Sequence, residues 1–173
     1  MSETPIARPY LKSMASYNSW MNGKIYDTAA RLSPDEIALD RGAFFTSILG
    51  TLNHLVVTDM VWIDRFKARR LRVSDLKALR HETLEPLRAE RDALDAEIAD
   101  WAAGVDEAWL ARPFSFTSLL TGATYTYPAS VLVMHFFNHQ THHRGHVTTL
   151  LTQAGLDVGI TDIIGLPGLK EMV

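Results

Sequence analysis

Five of the seven histidines in this chain of 173 residues fall in one short run, Met134-His-Phe-Phe-Asn-His-Gln-Thr-His-His-Arg-Gly-His. Each imidazole offers a nitrogen lone pair to a metal, or a proton donor and an acceptor to hydrogen-bond partners. At about 100° per residue, His139 and His143 stand one helical turn apart on one face, as two ligands of a single ion must. His135 and His146 extend that stripe and His142 lies on its flank. Buried without partners, such rings would destabilise an apolar helix, and a metal removes that cost. The alternative for His139 and His143 is a solvated polar face or hydrogen-bonded core histidines, against which their neighbours Phe136, Phe137 and Val147 favour burial.

The zincin pattern is excluded, because Gln140 follows His139 and no general-base glutamate stands there. A catalytic metal typically has three protein ligands and an open position. His54, in Leu52-Asn53-His54-Leu55-Val56, is the remaining histidine with a core-like helical setting; by itself it reads equally as a core histidine or as a third ligand. His81, in Arg80-His81-Glu82, reads as a surface residue. Asp59 and Asp64 share the helix of His54 but are out of phase with it, so no catalytic residue is assigned. The chain has no cysteine, which rules out disulfides, thiolate ligands and a cysteine nucleophile.

Four long helical patterns must carry these residues. Thr4-Pro5 offers a start for the first, in which Tyr10, Leu11, Met14, Tyr17, Met21, Ile25 and Leu32 recur at helical spacing. Ser33-Pro34-Asp35-Glu36 has a capping residue followed by proline at the first helical position, so a short turn or helix leads towards Asp40 and Gly42. The second long pattern runs over 44–70 through Phe45, Ile48, Leu49, Leu52, Val56 and Ile63 and contains His54. The third lies within 74–103, the most solvated, with alternating charges around Leu84, Leu87, Leu94, Ile98 and Trp101 and with Pro86 in its first turn. Alternation in Phe114–Thr117 and Tyr125–Tyr127 around Gly122 predicts a small β-hairpin. Pro128 and Ser130 open the last helix, which Gly155 ends, and the Gly- and Pro-punctuated tail 156–173 reads as an irregular extension. The expectation is an all-α protein: a four-helix bundle with a small β-hairpin before the last long helix and an irregular C-terminal extension, residues 1–173 forming one domain.

Hydrophobic residues make up 47% and charged residues 21%, the balance of a globular chain, and a formal charge of −3 gives no general attraction to phosphate backbones or anionic lipid. Nucleic acid and membrane are not expected as partners. The basic run Lys67, Arg69, Arg70 and Arg72 offers a contact patch or, the preferred reading, a solvated helix end whose cations complement the dipole. No signal-peptide layout and no span of roughly 18 apolar residues is present, so the cytoplasm is the expected compartment.

Three stretches resemble the DinB-like family of metalloenzymes: Tyr17-Asn18-Ser19-Trp20-Met21-Asn22, Phe44-Phe45-Thr46-Ser47-Ile48-Leu49-Gly50-Thr51-Leu52-Asn53-His54, and Phe137-Asn138-His139-Gln140-Thr141-His142-His143-Arg144-Gly145-His146. The resemblance implies a three-histidine site with one ligand from the second long helix and an H-x-x-x-H pair from the fourth, which carry over to His54, His139 and His143. His146 departs from the glutamine common in similar sequences, so a further ligand or a hydrogen-bond partner there, or at His135, stays open. Superfamily relatives that use low-molecular-weight thiols suggest activation of a thiol or of water by one divalent transition metal, expected to be zinc or nickel. The alternative is a non-catalytic stress-response protein with a structural metal. A homodimer is a further expectation of the resemblance, with Trp20, Trp62 and Trp109 as exposed or half-exposed aromatics to support it.

Overall fold

The computed structural model describes residue 6 and residues 8–172. Its long helices are α1 (Arg8–Ala29), α3 (Ile48–Phe66), α4 (Leu84–Gly104) and α6 (Ala129–Gln153), with short helices α2 (Pro34–Ala38), α5 (Glu107–Ala111) and α7 (Leu169–Met172) between and after them. Strands β1 (Pro113–Thr117) and β2 (Thr124–Pro128) pair antiparallel from Pro113↔Pro128 to Thr117↔Thr124, ahead of α6. α1 packs on α4 and α6, and α3 packs on the same two. The four-helix bundle with its hairpin is therefore as expected, and α3 and α6, distant in sequence, are neighbours. No helix among the described residues is long and apolar enough to cross a membrane.

Helix boundaries follow their caps. At Ser33 a complete capping box forms with Glu36, whose carboxylate accepts from the Ser33 backbone N–H at 2.8 Å. α3 starts four residues later than the apolar period suggests, because Ser47 takes the cap position and accepts from the Gly50 N–H at 3.0 Å. Phe44 and Phe45 are left in a turn where Thr46 adopts a left-handed φ of 62°. α3 also stops at Phe66, short of Arg70, where Ala68 turns left-handed at φ 51°. The start of the third long helix is corrected in the same way: residues 74–82 are loop, and α4 begins after Thr83. Gly155, at φ 79°, ends α6, and the Leu156 N–H reaches back to the Leu151 carbonyl. Thr4-Pro5 lies outside the described residues.

The core is one cluster reaching from Ile6 to Leu166, with Leu11, Ile25, Val56, Ile63, Leu87, Ile98, Phe136, Phe137, Val147 and Leu151 fully enclosed. The tail is less irregular than its composition suggests. It contains a 3-10 turn at Ile163–Gly165 and α7, buries Val158 and Leu166, and receives the Tyr17 hydroxyl on the Thr161 carbonyl at 2.6 Å.

A charged layer crosses the apolar core. Arg91 is buried and pairs with Asp59 at 2.7 Å and with Asp95 at 2.9 Å. Asn18 and Asn22 on α1 donate to Asp95, and buried Arg144 on α6 donates to Asn18. The reading of α4 as a solvated helix therefore fails at Arg91 and Asp95. The basic run at 67–72 is not a free patch either. Lys67, Arg69 and Arg72 pair with Glu97, and Arg69 and Arg72 also with buried Asp64.

Candidate metal centre

Helix α6 turns its apolar side, with Phe136, Phe137 and Val147, into the core and so carries His139 and His143 along the edge that faces α3. His54 approaches from α3. One ring nitrogen from each of His54, His139 and His143 lies within 4.8 Å of the others. Ring centroids are 4.4 Å apart for His139 and His143, 4.6 Å for His54 and His143, and 5.3 Å for His54 and His139.

Two contacts orient His54. Its ring stacks on Phe45 at 3.8 Å and 19°. Its Nδ1 faces the Leu76 carbonyl at 3.3 Å, so that nitrogen carries the proton and Nε2 keeps its lone pair. The loop holding Leu76 is tied down by Asn53 on the preceding helical position, whose side chain accepts from the Arg80 and His81 N–H groups and donates to the His81 carbonyl. Phe45 also meets His143 edge-on at 5.5 Å. Sequence patterning missed these supports, because it placed Phe45 inside the helix and gave Asn53 no role. The Ser47-x-x-Gly50 cap is the signal that would have put Phe45 in the turn.

All three imidazoles are held neutral. Burial first, and then the neighbouring rings of His143 and His54, bring the pKa of His139 down to about 3. Burial, followed by His54, His142 and His146, lowers His143 to about 4. Burial also lowers His54, partly opposed by its Leu76 contact. His143 Nδ1 is buried with no hydrogen-bond partner. An unsatisfied buried group of this kind costs about 1–3 kcal/mol, and coordination would relieve it. Neutral rings with free lone pairs and one orphaned nitrogen fit a nitrogen-preferring divalent metal.

No carboxylate joins this group among the described residues: Asp59 is committed to Arg91 and Asp64 to Arg69 and Arg72. His135 stays outside it, exposed on α6 with its ring against Trp62 at 5.3 Å. Trp62 is itself buried, between His135, Phe66 and Phe116, which corrects its reading as a surface aromatic; Trp20 and Trp109 are half-buried. His81 is also less exposed than expected, half-buried with Nε2 on Glu90 at 2.9 Å.

A family model described as the DinB family matches residues 1–170. Protein DinB of Bacillus subtilis is 30% identical over 156 residues, covering 84% of this chain and 87% of that protein. The fold is also shared with a DinB-like protein from Bacillus cereus of known crystal structure, at a TM-score of 0.62 and 17% identity, over 82% of this chain and 90% of that one.

Proposed function

Because the chain belongs to the DinB family, we propose that His54, His139 and His143 hold one divalent transition metal, zinc or nickel, in an enzyme that activates water or a low-molecular-weight thiol. The observation that carries this reading is the convergence of three neutral imidazoles from two helices, one with an orphaned buried nitrogen. A bound metal supplies Lewis acidity, which lowers the pKa of a water or thiol and makes it nucleophilic near neutral pH. The chain's own residues supply position: Phe45 and the Leu76 carbonyl fix the ring and tautomer of His54, and α6 fixes the spacing of His139 and His143. Three ligands leave a position open for substrate, whereas structural sites are usually closed by four.

The alternative is a metal that only ties α3 to α6. The test is elemental analysis of protein purified without a histidine tag, beside a His139→Ala variant. One metal per chain in the parent and its loss in the variant are expected; equal, near-zero metal in both would end the reading. His54→Ala separates the two roles. A catalytic metal predicts lost turnover in a screen against cellular thiols with the fold kept, and a structural one predicts a large loss of stability.

A further inference from the structure

A second group of histidines lies on the same helix, displaced towards solvent. His142 and His146 are one turn apart, their ring centroids at 4.4 Å, and His143 lies 4.8 Å from the first and 5.3 Å from the second. One nitrogen from each of the three is within 4.8 Å of the others, the same limit that the inner group meets. His142 is exposed, so an ion from solution reaches this group directly. Among the described residues neither His142 nor His146 pairs with an acid, and the rings nearest them are each other's and that of His143.

We propose that His142 and His146, with His143 behind them, form an outer and weaker transition-metal site that captures the ion and passes it inward. Two imidazoles one helical turn apart on an exposed face are a ready bidentate grip. Their chemistry selects nickel, copper or zinc over magnesium or calcium, because all three donors are imidazole nitrogens and no carboxylate oxygen joins them among the described residues. Since each lone pair serves one ion, the shared His143 cannot complete both groups at once.

That sharing gives the outer site its direction. An ion held by His142, His146 and His143 moves inward as His142 and His146 are exchanged for His139 and His54. Each exchange breaks one metal–nitrogen bond and forms another, with no change in oxidation state. Once His143 is engaged inside, the outer pair is left with two rings and holds a further ion less tightly. The handover rests on the inner-site reading, whereas the outer pair stands without it.

The test is a titration of tag-free, metal-free protein with nickel ions, followed by calorimetry and by the rate of loading. The parent should show one tight and one weaker event. His142→Ala/His146→Ala, both at the surface and tolerant of truncation, should lose the weaker event, keep the tight one and load more slowly. His54→Ala should lose the tight event and keep the weaker. A double variant that titrates and loads as the parent does overturns the outer site. So does a His54→Ala variant that loses both events, since the weaker one would then belong to the inner group. If His54→Ala titrates like the parent while the double variant loses the weaker event, the inner reading and the handover fail and the outer site survives.

Discussion

At the scale of single residues, the imidazoles are placed where protonation is costly, and this sets a pH dependence. In the unfolded chain a histidine protonates near 6.5, whereas the fold holds His143 down at about 4 and His139 at about 3. Between those values the unfolded state binds more protons than the native one, so stability falls as pH drops through that window. The metal-free protein should therefore unfold at progressively lower urea concentration from about pH 6.5 towards pH 4. Replacing His139 with Gln, which cannot take the proton, should flatten the trend, and an equally steep decline in that variant would assign it to other groups. The crowding of His139 and His143 was legible in the sequence because helical periodicity is local. Periodicity left His54 open, since its approach depends on two helices meeting, and the family resemblance singled it out.

At the scale of elements, the start of α3 matters more than its interior. Gly50 stands in the first turn, and a Cβ there would lie 2.1 Å from the Phe45 carbonyl oxygen and 3.2 Å from its carbon. Backbone cannot yield as a side chain does, so Gly50→Ala should push away the turn that stacks Phe45 on His54. A loss of about 1–3 kcal/mol is expected, typical of overpacking, read from the urea midpoint. Metal affinity should weaken with it. Unchanged affinity at reduced stability would show that the Phe45 stack contributes nothing to holding His54. The helical period alone ran through this turn, because Phe44 and Phe45 fit the apolar repeat, and only the Ser47 cap marks where the helix begins.

At the scale of the whole molecule, the bundle encloses a charge layer that the sequence presented as surface. Arg91 is 1% exposed and joins Asp59 of α3 to Asp95 of α4. Removing one partner of such a pair strands the others, so Arg91→Ala should cost about 3–5 kcal/mol, measured by denaturant unfolding. A cost no larger than that of an exposed ion pair, about 0–1 kcal/mol, would mean that water reaches the two carboxylates after truncation. The sequence by itself determined what depends on near neighbours: the long helices from their apolar period, the hairpin from its alternation, the short turn or helix from Ser33 and Pro34, and the shared face of His139 and His143. Tertiary structure decided what depends on helices packing side by side. It brought His54 to that face, set Phe45 and the Leu76 carbonyl around it, buried Arg91 and Arg144, and split one run of histidines into a group facing α3 and a pair facing solvent. The physical reason is that periodicity records which face of a helix is apolar, whereas which neighbour meets that face is settled only when all four helices share one core.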